Sequence, residues 1–196
     1  MSRLPAFRGE YLWELEIAER QLTALADAFA EEAYAWRPAQ KARSVAEVFV
    51  HLAAGNFMLL DILGVPVPSD LYPGVAGDGP VRFAALIRRN DEIERTVTSK
   101  DAVRPLLTRA LSAVRESVAG RSDADLERET FFFREQTTVR RGYLRALVHM
   151  HEHMGQLTGY MRMQGFPAPW ADAASSRPHI PRILGDHSLA VVSVHP

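Results

Sequence analysis

Three histidines lie close together in the segment RALVHMHEHMGQLTGYMRMQ, residues 145–164. Successive side chains on an α-helix are rotated by about 100°, so His149 and His153 lie about 40° apart on nearly the same side. His151 points about 160° away from His153. Two imidazoles at this spacing can bind one metal ion, although a hydrogen-bonded pair of histidines would have the same spacing. The spacing therefore makes His149 and His153 candidate metal ligands and excludes His151 from the same ion.

A catalytic metal ion needs a third protein ligand from another part of the chain. His51 is the only histidine that precedes His149, and it lies in the segment SVAEVFVHLAAGNFMLLDILG. It is on the shoulder of an apolar helical face, and Gly55, one turn later, leaves room beside it. A lone histidine at such a position is usually a hydrogen-bonded core residue. On this segment alone, His51 is a candidate third ligand or a core histidine.

Two other polar side chains lie one turn from these histidines on the same helices. Gln156 follows His153 and could hydrogen-bond a ligand or a substrate, or pack between helices. Glu47 precedes His51 and could orient its imidazole as a carboxylate partner. The pattern Ser44-Val-Ala-Glu47 also accounts for Glu47 as part of a capping box. We take Gln156 and Glu47 as candidate catalytic residues.

The elements that position these side chains are predicted to be helices. Apolar residues recur at helical spacing in five segments, and glycine or proline lies at most of the boundaries. The segment TFFFREQTTV is rich in β-formers but is too isolated to predict a sheet. Long helices without βαβ alternation predict an all-α, antiparallel four-helix bundle, with an extra short helix and an irregular C-terminal tail. The predicted helices are residues 7–30, 44–63, 81–98, 102–119 and 139–164.

The composition narrows the class of protein. The chain has 196 residues, of which 47% are hydrophobic, so it can bury a core. Its 23 basic and 24 acidic side chains give a net charge of −1, which indicates neither a nucleic-acid partner nor a membrane surface. No cysteine is present, which excludes thiolate ligands and a cysteine nucleophile. We see no signal peptide and no membrane-spanning stretch, so we expect a cytoplasmic protein.

Two motifs together resemble the DinB/YfiT-like superfamily of metal-binding four-helix bundles. They are WRPAQKARSVAEVFVHLAAGN and, later in the chain, HMHEHMGQLTGYMRMQG. In that family a tryptophan-proline connection leads into a capped helix with one histidine, and a later helix carries two histidines four residues apart. The resemblance covers residues 7–166, which we take as the bundle domain of residues 1–166. Residues 167–196 are then an extension that packs on the bundle or on a partner chain.

The resemblance implies a ligand set. The family's first ligand falls on His51 and the other two fall on His149 and His153, whereas His151 matches no ligand position. Many members read HHRGQ where this chain reads EHMGQ, so the substrate chemistry of any one member is not transferred. The implied cofactor is a divalent metal ion, zinc or nickel first, with iron and manganese as alternatives.

The resemblance also implies a function. Characterised relatives include S-transferases that use bacillithiol, mycothiol-dependent isomerases and metal-dependent hydrolases. We therefore expect a divalent-metal-dependent enzyme that transfers a low-molecular-weight thiol to a small electrophile in detoxification or stress response. The alternatives are a hydrolase with a metal-bound hydroxide, or a non-enzymatic, damage-inducible protein with a structural metal. A homodimer is expected from the resemblance and from the apolar tail segment SLAVVSV.

Overall fold

The computed structural model of the chain describes residues 6–171. Within that range the chain is mostly helical, with one short hairpin. The predicted C-terminal extension lies almost entirely outside the described residues, so its packing remains a prediction. The elements are α1 Phe7–Ala28, a 3-10 helix Glu31–Ala35, α2 Val45–Ile62, α3 Gly79–Thr96, α4 Lys100–Ala119, α5 Asp123–Glu127, β1 Glu129–Phe132, β2 Glu135–Thr138 and α6 Val139–Met163.

Four long helices form the bundle. Helices α1 and α2 each pack against both α4 and α6, so the four surround one core. Helix α3 packs on the outside of α2. The all-α bundle predicted from the sequence is confirmed. Of the five predicted helices, the one outside the bundle is α3, which has 18 residues and is not short. The short helix α5 is not among the helices predicted from the sequence.

Helix α2 is the central helix of the fold. It begins with the predicted capping box, in which the Glu47 amide donates to Ser44 Oγ at 3.2 Å and the Ser44 amide donates to Glu47 Oε2 at 2.7 Å. It is followed by Gly64, whose φ of +82° is the left-handed conformation that glycine adopts readily. The capping box and Gly64 therefore fix both ends of the helix that carries His51.

By length and composition alone, α2 could cross a membrane. It has 18 residues with a mean hydropathy of 1.5, but 72% of them are buried inside the bundle. Burial against α3, α4 and α6 explains why this helix is apolar, because a core helix surrounded by others needs little polar surface.

The residues of α2 that stay partly exposed lie on one face. Their spacings keep them within about 100° of one another around the helix axis. This face is turned away from the bundle core. The partly exposed residues are Glu47, His51, Met58, Asp61 and Ile62.

The expectation that residues 130–139 form no sheet is wrong. β1 and β2 pair as an antiparallel hairpin, with Phe132 opposite Glu135, so the turn consists of Phe133 and Arg134. Of the three consecutive phenylalanines, Phe132 is fully buried, whereas Phe131 is 70% exposed and Phe133 is 49% exposed. Successive side chains of a strand point to opposite faces of the sheet, so only the middle ring of the three is buried.

Helix α6 buries the apolar arc predicted from its sequence. Every member of that arc is buried in the core. His149 and His153 lie at the edge of this arc, each partly exposed. The arc consists of Tyr143, Met150, Met154, Leu157 and Met161.

Candidate metal centre

The imidazoles of His51, His149 and His153 meet where α2 packs against α6. His51 Nε2 lies 3.4 Å from His149 Nε2, and His153 Nε2 lies 3.1 Å from the same atom. One ligand atom from each residue lies within 4.8 Å of the other two. His151 is not part of the group. Among residues 6–171, this is the one cluster of such side chains with the geometry of a metal site.

The three nitrogens fit a divalent ion. Nitrogens about 2.0–2.1 Å from a tetrahedral ion lie about 3.3 Å from one another. The separations of 3.1 and 3.4 Å match that value. Without an ion, the three neutral nitrogens could form only one hydrogen bond among themselves, because each Nε2 has a single position for donor or acceptor. The arrangement therefore favours metal binding over a hydrogen-bonded core cluster.

The protonation state of the imidazoles also suits a metal. Burial, together with the smaller effect of the neighbouring His153 and His51, lowers the pKa of His149 to about 3. Burial likewise lowers the pKa of His153, although its hydrogen bond with Gln156 opposes the shift. Both rings are therefore neutral at pH 7, the form that coordinates a metal ion.

Gly55 makes room for the His149 imidazole between the two helices. A Cβ atom at position 55 would lie 2.6 Å from His149 Cε1, which is closer than van der Waals contact allows. Only glycine at this position lets the ring pack so closely against α2. The His149 Nδ1 atom is buried and has no hydrogen-bond partner among the described residues.

His51 Nδ1, the ring nitrogen outside the cluster of Nε2 atoms, contacts a carboxylate from α3. His51 Nδ1 lies 3.3 Å from Glu94 Oε2, and Arg43 Nε donates to Glu94 Oε1 at 2.6 Å. Burial alone would raise the pKa of Glu94, but the hydrogen bonds from His51 and Arg43 outweigh burial and lower it. The ionised carboxylate fixes a proton on Nδ1 of His51, which leaves Nε2 free to bind a metal.

The outer nitrogen of His153 contacts Gln156. His153 Nδ1 donates to Gln156 Oε1 at 3.0 Å, and Gln156 Nε2 donates to the Tyr160 hydroxyl at 2.8 Å. The hydroxyl in turn donates to the carbonyl oxygen of Arg43 at 3.1 Å. Trp36 packs edge-on against the Tyr160 ring at 5.4 Å between centroids. The contacts of Gln156 therefore fix the orientation of the His153 imidazole.

Glu47 does not contact His51. Its carboxylate accepts from the Ser44 amide and from Arg37 at 2.9 Å. The carboxylate partner of His51 is Glu94, which comes from a different helix and was not identified from the sequence. No helical spacing links position 94 to position 51, so only the packing of α3 on α2 could reveal it.

A cavity of about 320 Å³ lies directly beside the histidines. His51 and His149 form part of its wall, so the metal site borders open space. Two arginines and two carboxylates line the wall, Arg43 and Arg145 with Asp91 and Glu94, together with Asn90 and several apolar side chains. The apolar side chains are Met58, Leu59, Ile87 and Phe133.

Comparison with known proteins identifies the family of the chain. A family model of the DinB superfamily matches residues 14–157, a range that contains all three histidines. A solved structure of a DinB-like protein from Bacillus cereus is similar, with a TM-score of 0.61 and 17% identity over 81% of this chain and 93% of that chain. At this identity the structural similarity shows the fold alone. No curated protein matches the chain.

Proposed function

The chain belongs to the DinB superfamily, and from that premise we propose that it is a divalent-metal-dependent enzyme that transfers a low-molecular-weight thiol to an electrophile. One observation carries the proposal. The cluster has three ligands, with no fourth among the described residues, and it borders a cavity. Structural zinc sites close the ion with four protein ligands, whereas catalytic sites use three and leave a position open.

The reaction needs a thiolate at neutral pH. A divalent ion held by His51, His149 and His153 would supply that chemistry, since a thiol bound to a metal loses its proton. In the transfer, the sulfur forms a bond to the electrophilic carbon, the leaving group departs with its electron pair, and the thiol proton passes to solvent. The chain has no cysteine, so the thiol is a diffusing cosubstrate.

The residues that line the cavity could bind two kinds of substrate group. Arg145 on this wall is already paired with Glu152 through both terminal nitrogens. Arg43 uses only its Nε for Glu94, so its two terminal nitrogens can bind a substrate carboxylate through hydrogen bonds. Small biological thiols that carry a carboxylate would find this partner beside the histidines. Met58, Ile87 and Phe133 form an apolar part of the same wall, which suits an uncharged electrophile. We also propose a cytoplasmic location, where such thiols are kept reduced.

The test is a conjugation assay on protein made without a histidine tag. Bound metal is first measured per chain, and monochlorobimane is then offered with bacillithiol, mycothiol or glutathione. We expect fluorescent conjugate to form with at least one thiol, and to be lost after chelation and in His153→Ala. His151→Ala is the matched control and keeps the activity.

Three results would contradict the proposal. Metal-loaded protein that conjugates none of the three thiols faster than the chelated sample is not this transferase. If the same protein hydrolyses an activated ester such as p-nitrophenyl acetate without thiol, in a metal-dependent way, the hydrolase is the better assignment. Metal binding without either activity would favour a non-enzymatic role.

A further inference from the structure

A second and larger cavity lies next to the metal centre. It has a volume of about 870 Å³ and lies between the C-terminal end of α2, the start of α3 and the tip of the hairpin. Ligand cavities in proteins commonly measure about 300–1,000 Å³. The cavity is thus large enough for an organic molecule well beyond the size of a small thiol. Its apolar wall consists of Ile62, Pro66, Pro80, Phe83, Leu86 and Phe133.

The two cavities follow one groove between α2 and α3. On α2, His51 and Met58 line the smaller cavity and Ile62 lines the larger one. On α3 the order is preserved along the groove, because the first two turns of the helix line the larger cavity and the later turns line the smaller one. His51 and Ile62 are separated by about 16 Å along the helix axis. Phe133 is part of the wall of both cavities.

The position of Phe133 depends on an unfavourable turn. Phe133 and Arg134 have φ values of 48° and 68°. These values lie in the left-handed region, which residues other than glycine and asparagine rarely adopt. Two-residue hairpin turns of this kind usually contain Asn-Gly. The Phe133 ring packs edge-on against Phe83 of α3 at 6.1 Å. Strain of this kind is typical of segments held in place for function.

The charges of the larger cavity cancel. Arg82 donates to both carboxylate oxygens of Asp61, at 2.8 and 2.6 Å, so this pair needs no further partner. Asp78 and Arg134 contribute one charge of each sign to the remaining wall. A wall with balanced charge and mainly apolar side chains suits an uncharged, apolar group and does not select an ion.

We infer that the two cavities form one elongated site for an uncharged apolar electrophile. Its reactive end lies beside the histidines and its apolar tail extends past Phe133 into the larger cavity. The inference rests on the proposed function for the identity of the reactive end. The tail site itself depends only on the cavity walls, which makes Phe133 and Ile62 determinants of substrate length.

The test uses alkyl hydroxamates, which chelate divalent ions and carry tails of chosen length. Acetohydroxamate, hexanohydroxamate and decanohydroxamate are titrated into zinc-loaded protein by calorimetry. Each methylene that becomes buried strengthens binding up to about fourfold. We expect decanohydroxamate to bind more than about tenfold more tightly than acetohydroxamate.

Two variants locate the tail. Ile62→Trp fills the larger cavity and should abolish the gain with tail length, while acetohydroxamate binding stays within about twofold. Phe133→Ala removes a shared wall and should weaken decanohydroxamate binding by about fivefold or more. Phe131→Ala is the matched control, because its ring is 70% exposed and lines neither cavity. Circular dichroism checks that each variant is folded.

The outcomes separate this inference from the proposed function. Equal affinities for the three hydroxamates in the parent would overturn the elongated site. A gain with tail length that persists in both folded variants would also overturn it, since the tail would then lie elsewhere. Tail-dependent binding without any thiol conjugation would support the site and reject the transferase.

Discussion

At the scale of single residues, alanine substitutions should distinguish the three candidate ligands from His151, which lies on the same helix as two of them. His51→Ala, His149→Ala and His153→Ala each remove one of three coordinating nitrogens, so we expect bound metal to fall from about one ion per chain to near zero. His151→Ala leaves the cluster untouched and should retain the metal. The measurement is metal per chain after dialysis against a weak chelator. Full retention by His149→Ala or His153→Ala would refute the ligand assignment.

The orienting carboxylate gives a second prediction for a single residue. Glu94→Gln keeps the shape of the side chain but removes the charge that fixes the His51 proton, and we expect metal affinity to fall by about 10–100-fold. Glu47→Gln is the control, since its carboxylate contacts Ser44 and Arg37 and not His51. Competition with a fluorescent zinc chelator measures both variants. A larger loss for Glu47→Gln than for Glu94→Gln would show that the wrong carboxylate is assigned to His51.

Residue spacing and family resemblance were enough to predict which three histidines the fold brings together, but not the carboxylate that contacts His51. His149 and His153 are brought together by one helix, and the spacing of four residues predicts that directly. Gln156 could be placed near His153 for the same reason. Glu94 could not be found in this way, because its contact with His51 depends on the position of α3 against α2. That position follows from the loop of residues 63–78, which carries no periodic signal.

At the scale of elements, the close approach of α2 and α6 depends on Gly55. Gly55→Ala would place a methyl group 2.6 Å from His149 Cε1, so the imidazole must move. We expect metal affinity to fall by about tenfold or more, as when a group that orients a ligand is lost. Competition with a zinc chelator measures the loss.

Gly159→Ala is the matched control for Gly55→Ala. A Cβ at position 159 meets no atom within 4 Å, and alanine is favoured over glycine inside a helix by about 1 kcal/mol. This variant should keep its metal affinity and unfold at an equal or higher temperature. Unchanged zinc affinity in Gly55→Ala would mean that the His149 ring does not need the space that glycine provides.

The helices were predictable from the sequence, whereas the hairpin was not. Caps such as Ser44 with Glu47, and glycines such as Gly64, mark helix ends by local hydrogen bonding and backbone freedom, and the observed bounds lie within about two residues of the prediction. The hairpin lacks the usual turn signal because Phe133 and Arg134 occupy positions where glycine or asparagine is expected. Its strands are held by packing of Phe132 in the core, which is a tertiary effect.

At the scale of the whole molecule, apolar side chains remain exposed on and directly after α6. We propose that they contribute to a homodimer, which light scattering would detect as a mass about twice that of the 21.9 kDa chain. Replacing Leu144 and Val148 by glutamate should shift the mass to one chain. A monomer of the parent at micromolar concentration would reject the proposal. The exposed side chains are Leu144, Val148, Met163 and Phe166.

The metal ion should also stabilise the whole fold, because its ligands come from two helices. His51 lies on α2 and the other two ligands lie on α6, so the complete site exists only when these helices are packed together. An ion that binds only the folded chain stabilises it by about 2.7 kcal/mol when its free concentration is 100 times its dissociation constant. For a chain of this size, each kcal/mol added to the free energy of unfolding raises the melting temperature by about 2–4 °C.

We therefore expect chelation to lower the melting temperature of the parent by about 5–10 °C. The folded variant His153→Ala should melt at nearly the same temperature with and without the chelator, since it has no complete site to lose. His151→Ala should respond like the parent. Differential scanning calorimetry of the three proteins, each with zinc and with chelator, measures the shift. Equal shifts in the parent and His153→Ala would mean that zinc acts elsewhere on the molecule, because the bridge between α2 and α6 cannot form without His153.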